Sequence, residues 1–128
     1  MKTKIVIYET NDNKVPLMEF LLELPEKLRA KVLVDIDILQ EFGNTLREPR
    51  SKHLEGDIFE LRTIQGSNAV RTLFFFYYNQ TIVLTNGFIK KTQNTPKSEI
   101  EKAEKYKKDW IERNQDGLQG IQKRNIKK

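Results

Sequence analysis

Residues 70–78, Val-Arg-Thr-Leu-Phe-Phe-Phe-Tyr-Tyr, constrain the fold more than any other stretch of the chain. Aromatic and β-branched side chains packed this densely favour an extended strand over a helix. Alternation puts Val70, Thr72, Phe74, Phe76 and Tyr78 on one face, and Arg71, Leu73, Phe75 and Tyr77 on the other. Both sets are mostly apolar, so the strand is predicted to lie centrally and to be partly covered on both sides. Arg71 is then a cation held by the most rigid element of the fold.

The flanking segments predict an antiparallel meander around it. Ile58–Ile64 reads as a strand with Phe59 and Leu61 on one face and Ile58, Glu60, Arg62 and Ile64 on the other. Gln65-Gly66-Ser67-Asn68 turns it into the aromatic strand. Asn79-Gln80 is a two-residue hairpin loop leading to a last long strand, Thr81–Phe88. Thr3–Tyr8 is a first strand, brought back to the sheet by a helix hairpin. Leu17, Phe20, Leu21 and Leu24 recur at helical spacing, with Asn13 as cap and Pro16 in the first turn. Pro25 opens a second helix whose apolar stripe is Leu28, Val32, Leu33, Ile36, Leu39 and Phe42, and Gly43-Asn44 stops it. Thr45–Asp57 reads as polar and irregular. Thr95-Pro96 caps and opens a third helix that turns Ile100, Ala103, Tyr106 or Lys107, Trp110 and Ile111 inward. The expected architecture is α+β: two N-terminal helices on one face of a four-stranded, mostly antiparallel sheet, plus a C-terminal helix. Residues 1–113 form the domain, and residues 114–128 a basic, mobile tail.

At 128 residues the chain has room for one core. Its 38% hydrophobic content is low and its 32% charged content high, yet the apolar residues are clustered, which favours a folded domain over disorder. Without cysteine, neither disulfides nor thiol chemistry can contribute. The basic N-terminus is followed by an apolar run too short for a signal peptide, and no span long enough for a membrane follows. A soluble, cytoplasmic protein is expected. Residues 1–85 carry net charge −1 and residues 86–128 net +6, so the positive excess lies in the last third. That asymmetry points to an anionic partner, nucleic acid before membrane, although a basic tail also serves solubility.

The residues available for chemistry are few. No glycine-rich phosphate loop follows a strand, and no Ser/His/Asp arrangement is visible. The one histidine, His53, has no partners at ligand spacing, so no metal or other cofactor is expected. An active site must therefore use arginine, lysine, carboxylate and aromatic groups. Arg62 and Arg71 occupy neighbouring strands where apolar side chains would be safer. Lys90 and Lys91 end the next strand, and Lys97 lies in the first turn of the third helix, whose free N–H groups favour phosphate. With Lys52 and Phe88, Lys97 is a candidate RNA contact, since aromatic faces accept stacked bases. The same residues are equally compatible with a purely structural role, with Glu60–Arg62 or Glu60–Arg71 a simple ion pair and Lys90-Lys91 a solvated loop.

Glu60-Leu61-Arg62, Arg71 ahead of the aromatic strand, and Gly87-Phe88-Ile89-Lys90-Lys91-Thr92-Gln93-Asn94-Thr95-Pro96 running into a Glu/Lys-rich helix together resemble the HigB-type branch of the RelE superfamily. These are toxins of bacterial type II toxin–antitoxin modules, also found as phage-derived proteins. The similarity covers roughly residues 3–112. It implies a metal-independent mRNA endonuclease, often acting at the ribosome and neutralised by a helix-turn-helix, HigA-like antitoxin. It implies phosphoryl transfer to the neighbouring 2′-hydroxyl, with Arg62 and Arg71 stabilising the charged intermediate and Lys90 or Lys91 moving a proton. Glu60 competes for the role of base. Some RelE relatives place a histidine or tyrosine late in the site, and this chain has no histidine after His53. The alternative is a non-catalytic RNA- or ribosome-binding protein that uses the same basic face.

Overall fold

The computed structural model describes residues 3–78, 80–91 and 94–127, with the backbone alone from residue 115. The aromatic strand is β4 (Asn68–Tyr77), and it is the middle strand of a five-stranded sheet ordered β1-β5-β4-β3-β2. β3 (Phe59–Gln65) and β5 (Thr81–Ile89) flank it as antiparallel neighbours. β1 (Lys4–Ile7) runs parallel to β5, in register from Lys4↔Thr81 to Ile7↔Leu84. A parallel neighbour cannot be reached through a tight turn. The chain makes the return through α1 (Pro16–Leu22) and α2 (Glu26–Phe42).

The fifth strand is an addition to the four expected. β2 (Ser51–His53) lies in the stretch that reads as irregular, and it pairs antiparallel with Leu61, Glu60 and Phe59. Ser-Lys-His carries no strand pattern of its own. The unpaired edge of β3 supplies the hydrogen bonds that extend it, a tertiary cause that propensity does not register.

Both faces of the sheet are covered. Leu17, Leu21, Leu24, Leu28, Val32 and Leu39 of the α1–α2 segment pack on Leu61, Val70, Phe74, Ile82 and Leu84. On the opposite face, α3 (Lys97–Lys127) lays Ala103, Tyr106, Trp110 and Ile111 over Leu73, Phe75 and Val83. The alternation within β4 therefore divides the core as its sequence predicts. Leu33 and Phe42 depart from the expected stripe, standing 47% and 55% exposed, whereas Asp35 is buried. The face that meets the sheet is 28-32-35/36-39, and Leu33 lies about 100° round the helix from Val32.

The turns also differ in detail. Asn13 (φ 65°) belongs to the turn before α1, whose N-cap is Val15 without a side-chain bond, so Pro16 sets the helix entry instead. In the β4–β5 loop the positive φ falls on Tyr78 (54°), and Tyr77 pairs with Thr81; Asn79 lies outside the described residues. α3 continues past Asn114 to Lys127, and the side chains of the expected tail lie outside the described residues. Tyr8 fastens α3 to the start of the chain: its hydroxyl donates to Asp109 at 2.7 Å, and Arg113 donates to Asp109 at 2.7 Å and to the Glu9 carbonyl at 2.5 Å. Burial, then the bond to Asp109, pushes the Tyr8 hydroxyl up to about 12. Among the described residues no helix is long and apolar enough to cross a membrane.

Phe74 is fully buried between the helices and the sheet, so Phe74→Ala is expected to cost about 3–5 kcal/mol. Leu33→Ala, at a partly exposed site, is expected to cost within about 0.5 kcal/mol. Urea unfolding of the two variants measures the difference, and equal losses would contradict the placement of Leu33.

Candidate active site

The site is built where β2, β3 and β4 run side by side and the chain leaves β5. Direct cross-strand pairing sets Lys52 opposite Glu60 and Arg62 opposite Arg71, which in turn faces Phe88. Glu60 and Arg62 are two residues apart on one strand and so share a face. Just after β5, the Lys90 N–H bonds the Ala69 carbonyl at 2.7 Å, fixing the backbone of that lysine against the start of β4.

Glu60 is the centre of the arrangement. Only 1% exposed, it holds Arg62 Nε at 2.9 Å and Arg71 Nε at 3.4 Å, both on Oε2. Its Oε1 accepts a hydrogen bond from the Thr95 hydroxyl at 2.5 Å. A buried carboxylate is tolerated when paired and hydrogen-bonded, and here one group satisfies two guanidinium cations. Both of the ion pairs that the sequence leaves as alternatives are thus formed. The contact to Arg71 is electrostatic: its buried Nε lacks a well-aligned hydrogen bond, although one terminal nitrogen reaches the Val70 carbonyl at 3.5 Å.

A cleft of about 260 Å³ opens beside this carboxylate, lined by Lys52, His53, Glu60, Arg62, Lys90, Asn94 and Thr95 among others. Burial first, and then the positive charge of Arg71, pulls the Lys90 ammonium below the usual lysine range. Arg62 and Lys52 push the same way, and Glu60 opposes them. Arg71 is itself lowered from the usual arginine value by burial, with Arg62 adding and Glu60 opposing. The four cations therefore feel one another within a single site.

Of the residues expected from the sequence, Arg62, Arg71, Lys90 and Lys52 are brought together. Lys91 and Lys97 are exposed and do not line the cleft. Phe88 is 9% exposed and packs in the cluster under α3, so its ring serves the core and offers no open face for a base. His53 stacks on Phe59 at 4.7 Å, and its Nε2 lies 2.5 Å from the Gly56 carbonyl. Among the described residues no group of three or more His, Asp or Glu side chains converges as a metal-ligand set.

Thr95 is the residue whose part the sequence hides. Thr-Pro before a helix reads as a cap, yet the hydroxyl is spent on Glu60, 35 residues away. Nothing local distinguishes the two uses.

A family described as "Phage derived protein Gp49-like (DUF891)" matches residues 19–108, a span that takes in β3, β4, β5 and every cleft residue. The chain belongs to that family. It is 36% identical over 89 residues to proteins named "Probable endoribonuclease HigB1" from two strains of Mycobacterium tuberculosis, CDC 1551 / Oshkosh and ATCC 25618 / H37Rv. Each match covers 69% of this chain and 68% of the relative. The resemblance to HigB-type toxins seen in the motifs is thereby upheld. Among solved structures, that of the archaeal RelE–RelB complex from Pyrococcus horikoshii OT3 aligns with a TM-score of 0.46 at 20% identity, over 74% of this chain and all of that one.

In this Gp49-like chain the charges around Lys90 make opposite, separable demands. Removing Arg71 takes away a positive neighbour, so Arg71→Ala is expected to raise the pH at which Lys90 titrates. Glu60→Gln takes away a negative one and is expected to lower it. NMR titration of the Lys90 side chain in the two variants, with folding verified by circular dichroism, reads the signs directly. Shifts in the same direction would contradict the arrangement.

Proposed function

We propose that this chain is a toxin of a type II toxin–antitoxin module, an endoribonuclease that cuts mRNA at the translating ribosome without a metal ion. The observation that carries the reading is the placement of Arg62 and Arg71 by one buried carboxylate beside a lysine of lowered pKa. The name of the mycobacterial relatives supports it.

In the proposed reaction the 2′-oxygen attacks the adjacent phosphorus and the bond from phosphorus to the 5′-oxygen breaks. A 2′,3′-cyclic phosphate remains on one fragment and a 5′-hydroxyl on the other. The chemistry needs a base for the 2′-hydroxyl, positive charge on the pentavalent intermediate, and a proton for the leaving oxygen. Arg62 and Arg71 supply the charge, and their fixed positions avoid reorganisation during the reaction. Lys90 suits the proton transfers, because burial and the neighbouring cations favour its neutral form more than in a free lysine, and the ammonium form is a donor for the leaving oxygen. Glu60 is poorly suited to act as base, because one oxygen accepts from Thr95 and the other holds the arginines. Its role is to position them. Lys52 lines the cleft on the exposed side and contacts the strand; Lys91 and Lys97 contribute to the wider basic surface.

The proposed setting is the cytoplasm, and the proposed partners are mRNA, the ribosome and a helix-turn-helix antitoxin of the HigA type. Arg71→Ala is expected to lower RNA cleavage by about 10²–10³, compared in protein whose folding is verified by circular dichroism. Transcript-end mapping after induction, together with growth, measures this, and full growth arrest by the variant would overturn the assignment. Uncut transcripts with retained ribosome binding would assign the chain instead to non-catalytic binding.

A further inference from the structure

A second cavity, of about 330 Å³, shares Arg62 with the cleft. It is lined by Lys31 and Asp35 of α2, by Pro49 and Arg50 of the segment before β2, and by Arg62, Ile64 and Arg71 of the sheet. Leu61 packs under α2, so by alternation Arg62 belongs to the opposite face. A cavity that touches both α2 and Arg62 must therefore pass around an open edge of the sheet. That edge exists because β2 pairs with β3 only at residues 59–61, so that among the described residues no strand runs beside Thr63 and Ile64 on this side. Arg50 is tied there, its carbonyl accepting the Arg62 N–H at 2.8 Å.

Asp35 explains why the cations of this cavity hold their positions. Its side chain is 4% exposed, on the helix face that otherwise carries only apolar residues into the core. An unpaired carboxylate there is costly. Lys31 Nζ approaches it at 2.9 Å and Arg50 at 3.9 Å, while the two basic side chains stay 40% and 54% exposed. The buried acid thus anchors two cations from behind and leaves their outer donors facing the cavity. Four basic side chains then line the space, two held by Asp35 and two by Glu60. Arg62 lines both this cavity and the cleft, so the two are consecutive stations along one basic path.

Resting on the endoribonuclease reading above, we infer that the cavity between Lys31, Arg50 and Arg62 is a second phosphate subsite. It takes an RNA backbone phosphate at the sheet edge, one station along from the cleft. Guanidinium groups suit this task because they present paired donors to phosphate oxygens. Asp35 is a positioning residue, acting through Lys31 and Arg50. The phosphate belongs either to the strand being cut or to ribosomal RNA at the docking site.

The test uses the full chain and a short RNA carrying 2′-O-methyl groups, which prevents cleavage. Arg50→Ala and Lys31→Ala change partly exposed side chains and are expected to fold. Each is expected to weaken RNA binding on the order of tenfold and to reduce the slope of log affinity against log salt by about one. Asp35→Asn is expected to weaken binding less, with the salt slope unchanged, because the cations remain but lose their anchor. RNAs with one neutral methylphosphonate at successive positions should show a single position whose neutralisation costs the wild type affinity and Arg50→Ala nothing. Such a position assigns the phosphate to the bound strand. Wild-type affinity of Arg50→Ala for RNA, combined with weakened binding to purified ribosomes, assigns it to ribosomal RNA. Unchanged binding to both would overturn the subsite while leaving the cleavage reading intact. Arg50-dependent RNA binding by a wild-type chain that cuts no transcript would overturn the cleavage reading and keep the subsite.

Discussion

Cations directly opposite each other on neighbouring strands repel, and in this sheet Arg62 faces Arg71 in direct register. Neither can move far, because one sits on the central strand and the other on the strand beside it. Glu60 makes the arrangement tenable: its single carboxylate approaches both guanidinium groups from within the sheet face. Leaving buried charges without their partner typically costs about 3–5 kcal/mol, a large share of the stability of a domain this size. The ion triad is therefore a structural necessity before it is a functional one. The same bonds that keep Arg62 and Arg71 from repelling also fix the direction of their remaining donors.

The rest of the fold delivers other groups to that triad. Covering both faces of the sheet leaves the strand edges and strand ends as the places where polar side chains can collect. β2 brings Lys52 alongside Glu60, and the end of β5 brings Lys90. The segment entering α3 contributes the Thr95 hydroxyl to the free carboxylate oxygen. α3 is anchored at the far side by the Tyr8–Asp109–Arg113 group, so its position depends on the first strand as well as on the apolar cluster beneath it. Asp35 repeats the device on the α2 side, with a recessed carboxylate behind two exposed cations.

Much of this was legible in the sequence, for reasons particular to each residue. Phe74 and Phe75 point to opposite cores because neighbouring strand positions always do. Leu28, Val32, Ile36 and Leu39 line one helix face because the helical repeat demands it. Hydrophobicity alone places Leu33 and Phe42 on that face, and the actual packing leaves them at the surface. Phe88 shows the converse problem: an aromatic residue beside lysines suits base stacking, but its ring is consumed by the cluster under α3. Identical residue types serve core and site, and only the neighbours above the strand distinguish them.

By itself the sequence determined the α+β class, the central place of residues 70–78, and the strand faces carrying Glu60, Arg62 and Arg71. These follow from periodicity, which is a property of the local chain. Only the tertiary structure decided that β1 runs parallel to β5, that β2 exists, and that Thr95 and Lys90 converge on the carboxylate of Glu60. Each of those depends on registers and turns that bring distant segments together. A hydrogen bond or an ion pair acts over a few ångströms, and spacing along the chain does not record which groups end up that close.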